Sequence, residues 1–329
     1  MSNKSITQFM HKPALSYMLC CFIALLITPI STAANELLQL KEQIWLSPDI
    51  SPKNRLDALS KKPVACINPD APKVSTIGRL AFESPALLGG QAARIGLSCA
   101  SCHPSGRTSR HFFLENISSS PGTADVTHSF FSSTGGNDKL TAVAIPDLAK
   151  LEKIKIKDRT SNEFIKKLRE LIEIEFDGQR APKLIIDALQ TYLSNVDTQY
   201  CQITGEQLKP HKLNHDWERL LESVNALTEY PGQEVNQLLI RIARKRLETI
   251  YLRYANIKDP TINSDLISLS RQLAELSLSK IKHTKQIKSL KQWLSNASKL
   301  FVRLEQYENN SKYDSEVLTK LIATQATNK

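Results

Sequence analysis

Two cysteines stand three positions apart with a histidine directly behind the second: Cys99-Ala100-Ser101-Cys102-His103. Three chemistries use such a pair. A redox dithiol belongs in a βαβ context, and no alternating apolar and polar run flanks this one. A structural zinc site takes four ligands, as a rule from two close pairs, but Cys66 and Cys201 each stand alone. Covalent haem needs two thiols for its vinyl groups and an adjacent histidine to hold the iron from one face. The order Cys-x-x-Cys-His supplies all three. The spacing points to one covalent haem c, with Cys99 and Cys102 carrying the thioethers and His103 as the proximal ligand.

The far face of the iron is less determined. Methionine is a common partner for histidine there, and the chain holds Met1, Met10 and Met18. All three fall in residues 1–34, which read as a secretory signal peptide. Lys4 and Lys12 precede an apolar run from Ala14 to Ile30, and the small residues of STAA suit cleavage after Ala33 or Ala34. The plain alternative is an uncleaved membrane anchor, since the run is close to the lower limit for a span. Removal of the signal places the chain in the periplasm, an oxidising compartment, and leaves no methionine to ligate iron. His128 then has enough intervening chain to cross the haem edge, and His111, close behind His103, is the second distal candidate. His211, His215 and His283 lie in the C-terminal part. The remaining options are an open or water-bound iron, or a lysine, a tyrosine or one of these C-terminal histidines. A second histidine suits one-electron transfer, whereas an open iron can bind a small ligand. Peroxide chemistry would further need an acid or base, for which Glu115, His128 and Arg110 are at hand; each is as readily an ordinary loop residue.

These residues must be held by the rest of the 329-residue chain, whose 41% hydrophobic and 23% charged content suits packed cores and whose length suggests two domains. Residues 35–75 read as a short amphipathic segment followed by an irregular connector rich in proline and lysine. Residues 76–203 read as a haem domain: a helix from Ser75, a break at Gly89-Gly90, the motif, then a long loop over 104–147. That loop needs a reason, and wrapping a prosthetic group is one. Helical patterns resume at Ser161 and over Lys183–Val196. Residues 204–329 carry stripes at steps of three and four, such as Trp217, Leu220, Val224 and Leu227, or Leu290, Leu294, Ala297, Phe301 and Leu304. These predict an antiparallel helical bundle with a docking or structural role.

Here a family likeness enters. GRLAFESPALL followed by GLSCASCHPSGR resembles the haem-binding region of the bacterial di-haem cytochrome c peroxidase family, including its methylamine-utilisation relatives. VAIPDLAKL resembles the family's proline segment that closes over haem, and DALQTYLSNVD resembles the last helix of a cytochrome c domain. The likeness spans residues 76–198. It implies an all-α fold: a cytochrome c-like haem domain with long loops, followed by the bundle. It also implies that Gly78 and Phe82 meet Tyr192 and Leu193. With the first and last helices packed together, Cys66 and Cys201 would come close enough for a disulfide, the usual state of a cysteine pair after export. Arg79, Arg94, Arg107 and Arg110 become either haem-propionate partners or solvated arginines. The chain departs from the family in carrying one CxxCH instead of two, so it is not a self-contained di-haem peroxidase.

The expectation is therefore an exported mono-haem c-type cytochrome that exchanges single electrons with a periplasmic redox partner. The alternative is a peroxidase-like or oxidative-maturation haem enzyme with an open distal site and a separate electron donor; a gas or redox sensor ranks last. Net charge is +10, and no acidic residue falls between Glu275 and Glu305. That stretch reads as a solvated helix face or as a surface that steers an acidic partner. Nucleic acid is not an expected partner of an exported haem protein, and membrane contact would come only through an uncleaved signal.

Overall fold

The computed structural model describes residues 40–134, 136–150, 158–201, 208–230, 232–278 and 283–327. The signal-like residues 1–34 and the first part of the amphipathic segment after them lie outside this set. The first helix arises inside the stretch Ser47–Lys73, which its prolines mark as an irregular connector. Ser51 Oγ accepts the Asn54 N–H at 3.3 Å and Pro52 takes the first helical position, so α1 forms over Pro52–Ser60. Proline is tolerated there because its missing N–H would be unpaired anyway. What the connector reading lacked was a partner for Leu59, which packs with Leu40, Leu318 and Ile322 in a small core of its own. The chain then enters β1 (Lys61–Pro63).

α2 (Val74–Phe82) crosses α6 (Lys183–Ser194), and the crossing is set by Gly78. A Cβ on Gly78 would lie 1.9 Å from the Ala188 carbonyl oxygen and 2.8 Å from Tyr192 Cβ. No side chain fits between these backbones. One turn on, the Phe82 and Tyr192 rings sit 5.4 Å apart, and Leu193 is buried in the same core. Between the two helices come α3 (Gly90–Arg94), α4 (Cys99–Cys102), the two-residue strands β2 (Thr123–Ala124) and β3 (Val143–Ala144), and α5 (Asn162–Glu170). α5 is capped by Ser161 Oγ, which accepts the Phe164 N–H at 3.2 Å, and it runs on into a π-helical turn over Leu171–Glu175. The long loop is held by one buried carboxylate: Asp125 accepts the N–H and hydroxyl of both Thr127 and Thr141 at 2.7–3.0 Å.

β4 (Leu208–Pro210) pairs antiparallel with β1, and β2 with β3; these are the described sheets of a mostly helical chain. The C-terminal part consists of α7 (Leu213–Glu229), α8 (Gln233–Tyr254), α9 (Pro260–Leu278), α10 (His283–Gln306) and α11 (Ser315–Thr327). Trp217, Leu220, Val224, Leu227, Leu266, Leu273, Leu290 and Leu304, all on the apolar stripes, are buried. Trp293 donates its Nε1–H to the Leu269 carbonyl at 2.9 Å, which joins α10 to α9. α11 instead lies against α1, and Arg55 donates to Gln325 Oε1 at 3.1 Å across that contact.

The two halves meet directly. Arg79 of α2 pairs with Glu222 of α7 at 2.6 Å, and one continuous apolar core runs from Cys66 through Tyr192 and Trp217 to Tyr313. The described residues all fall in one compact unit. None of the described helices is long and apolar enough to cross a membrane.

Candidate functional site

α4 is a single turn, too short to persist unaided, and its neighbours fix it. The Ser98 N–H donates to Ser101 Oγ at 3.1 Å, the His103 N–H to the Cys99 carbonyl at 2.9 Å, and the Ser109 N–H to the Cys102 carbonyl at 2.9 Å. The exit requires glycine. Gly106 has φ +77°, and a Cβ there would lie 2.7 Å from Val196 Cγ1. At helical spacing, Cys99, Cys102 and His103 share one side of the turn, while Ala100 and Ser101 occupy the other.

The proline segment packs beside this turn. Thr108 Oγ1 donates to the Ile145 carbonyl at 3.2 Å, and Arg107 Nε meets Asp147 Oδ2 at 2.9 Å. Cys66 and Cys201 form a disulfide, and Arg107 Nη1 lies 3.2 Å from Cys66 Sγ and 3.4 Å from Cys201 Sγ. One guanidinium therefore ties the staple to the proline segment. Buried Arg159 gathers the Leu148, Leu193 and Val196 carbonyls, joining the same segment to the end of α6. α5 contributes an apolar face whose Phe164, Ile165, Leu168 and Leu171 are half-buried.

The environment of the three motif side chains is strongly desolvating. Burial pushes the Cys99 thiol up to about 12. Cys102 is raised as well, by burial first and then by Cys99. Burial pulls the His103 imidazole down to about 4, with the Pro146 carbonyl and Asp147 acting against it. The ring is thus neutral at physiological pH and keeps a lone pair for a metal. His103 Nδ1 is buried without a hydrogen-bond partner.

The other sequence-derived candidates are placed less suggestively. The Phe130 N–H donates to His128 Nδ1 at 3.1 Å. An accepting Nδ1 places the proton of the neutral ring on Nε2. His111 is half-buried, whereas Glu115 and Arg110 are exposed. Arg79 and Arg107 are engaged by Glu222 and Asp147, and Arg94 is exposed. His215 Nδ1 accepts the Lys212 N–H at 3.3 Å.

A second polar cluster was not legible in the sequence. His211 Nε2 lies 3.0 Å from Asp216 Oδ2, which also accepts the Tyr313 hydroxyl at 2.5 Å. Arg253 Nη2 approaches His211 Nδ1 at 3.4 Å and Glu42 Oε1 at 3.2 Å, and the same guanidinium donates to the Leu59 and Lys312 carbonyls. Burial holds His211 down at about 4, against the pull of Asp216. Burial alone would raise Asp216, but His211, Arg246 and the Tyr313 hydroxyl hold it well below the carboxylate range. Asp216 is therefore ionised and His211 neutral, donating from Nε2 and accepting at Nδ1. The side chains come from four separate stretches of chain, so no local spacing announces them.

No protein-family model, no curated protein and no solved structure matches the chain.

Proposed function

We propose that the chain is an exported mono-haem c-type cytochrome that passes single electrons to or from a separate periplasmic redox partner. One observation carries the reading: Cys99, Cys102 and His103 share one side of a pinned helical turn, with the thiols raised, His103 neutral and its Nδ1 unpaired. A catalytic dithiol needs a depressed thiol pKa, and these thiols are shifted the other way. A zinc site needs further ligands, but Cys66 and Cys201 are consumed in their disulfide. Among the described residues no three His, Cys, Asp or Glu side chains gather as a metal set. Haem c asks for two alkylated sulfurs and one neutral imidazole, and these residues fit that demand.

In this reading Cys99 and Cys102 would hold the group covalently and a ring nitrogen of the neutral His103 would ligate the iron. Arg107 keeps the proline segment in place through Asp147, and the half-buried face of α5 offers an apolar wall that excludes water. When bound, haem c supplies a one-electron iron couple. The close crossing of α2 and α6 at Gly78 supports a cytochrome c-like domain around it.

A second reading is a peroxidase-like or oxidative-maturation enzyme with an open distal site and a separate electron donor. His128 favours it. Its Nδ1 is engaged by the Phe130 N–H, which leaves the ring proton on Nε2, where ligation would need a lone pair. An optical spectrum of the reduced holoprotein with and without carbon monoxide separates the two. A sharp low-spin spectrum unmoved by the gas supports the electron carrier. A high-spin spectrum that shifts supports the open site. No haem absorbance from cells that mature c-type cytochromes would overturn both.

A further inference from the structure

Behind the motif turn, on the side of Ala100 and Ser101, lies a cleft of 630 Å³ between the CxxCH segment and α8. That is within the range of roughly 300–1,000 Å³ usual for small-molecule sites. Trp45, Ile67, Pro85 and Ile242 give it apolar wall, while seven lysine and arginine side chains line it against four carboxylates. Most of these charges are matched. Glu83 takes Arg246 at 2.5 Å and Arg219 at 3.5 Å, and Glu42 takes Arg253 at 3.2 Å.

Glu42 is shared in the same way, by Arg253 and, at 3.8 Å, by Lys62, but the carboxylate met closely on both oxygens is Glu248, by a pair of lysines. Lys41 Nζ and Lys245 Nζ both meet Glu248, at 2.8 Å each, one on each carboxylate oxygen. Two ammonium groups thus share one carboxylate and leave about one positive charge uncompensated. Lys41 is held there by packing: a Cβ on Gly96 would lie 3.0 Å from its Cδ and 3.4 Å from its Nζ. This places the ammonium over the turn that leads into Ser98. Burial first, and then the facing Lys41, pull Lys245 below the ordinary lysine value against the effect of Glu248. A bound monoanion would relieve that repulsion.

We infer that this cleft binds a small organic carboxylate, with Lys41 and Lys245 holding its carboxylate group beside Glu248 and the apolar wall taking its hydrocarbon body. The cationic excess of the lining calls for an anion, and the apolar wall has no use in holding an inorganic ion. The inference does not rest on haem, because the cleft lies on the other side of the turn from the thiols.

Isothermal titration of the purified protein with benzoate and with hexanoate tests it, with inorganic phosphate as the control at constant ionic strength. Saturable binding of an organic carboxylate is expected. It should weaken about tenfold or more when Lys41→Gln and Lys245→Gln remove two charge-assisted contacts. Glu248→Gln, which frees both lysines, should tighten it. A purely structural role for the trio would not move affinity in opposite directions. Absence of saturable heat with either carboxylate, equal binding of phosphate, or a Glu248→Gln variant that binds no tighter would each overturn the inference. The Glu248→Gln arm stands even if the double lysine variant fails to fold.

Discussion

His103 is half-buried and His211 buried, and desolvation draws both down to about 4, yet their surroundings differ. His211 is satisfied on both ring nitrogens. Asp216 accepts from one side and Arg253 donates from the other, and Tyr313 and Glu42 complete the shell. His103 keeps a buried Nδ1 with no partner and has two raised thiols on its side of the turn. A perturbed pKa is thus common to scaffold and site. What separates the two imidazoles is pairing: both ring nitrogens of His211 have partners, whereas His103 Nδ1 is one of several buried polar atoms without one, Arg253 Nε beside His211 among them. The His211 cluster holds the N-terminal segment, α7, α8 and the C-terminal turn together.

The largest expected effect breaks this contrast most directly. His103→Ala should abolish the native optical spectrum of the holoprotein. His211→Ala should leave that spectrum in place while destabilising the fold by about 3 kcal/mol, the scale of a broken buried pair. Spectra and denaturant unfolding of the two variants read both effects. If His211→Ala changes the spectrum and His103→Ala does not, the assignment of site and scaffold is inverted.

Next comes the disulfide that backs the His103 region. Closing a loop over a separation of 135 residues is worth about 5 kcal/mol in the chain-entropy model. Cys66→Ser with Cys201→Ser should lower stability by that order in urea unfolding. It should also loosen Arg107, whose guanidinium touches both sulfurs. The His211 cluster contains neither cysteine, so a cooperative loss of stability would show that the two regions unfold together.

The smallest effect is in pH. His211 sits at about 4 in the folded chain, below an ordinary value of about 6.5. Its contribution is present in full above the unfolded value. It is lost as pH falls toward the folded value, because the unfolded chain takes up the proton first. The loss is about 3 kcal/mol at most, since each pH unit between the folded and unfolded values is worth about 1.4 kcal/mol. Unfolding measured at about pH 7 and about pH 4.5 should show it. His211→Gln should flatten the difference, and an unchanged pH slope in that variant would remove His211 as its source.

The parts legible in the sequence are those written at short range. Cys99, Cys102 and His103 are adjacent, and the apolar stripes of α7, α9 and α10 repeat at helical spacing, so both can be read without knowing what they touch. The crossing was readable only through a likeness: Gly78 and Phe82 do meet Tyr192, but nothing near Gly78 names Ala188 as its neighbour. α1 was missed because the stretch around it, residues 47–73, is rich in proline and lysine. The compensating pieces are a local cap at Ser51 and a distant partner in α11.

Residue order alone determined a helical chain with apolar stripes, a CxxCH with the spacing that haem c uses, and two isolated cysteines. These are properties of spacing, and spacing along a chain survives whatever the fold. Tertiary structure decided the rest. It brought His211, Asp216, Arg253, Tyr313 and Glu42 together from four stretches of chain, and it set Lys41 beside Lys245 over Gly96. Charge pairing and desolvation depend on distance through space, which no local pattern encodes. The difference between a satisfied histidine and an unsatisfied one therefore exists only in the folded chain.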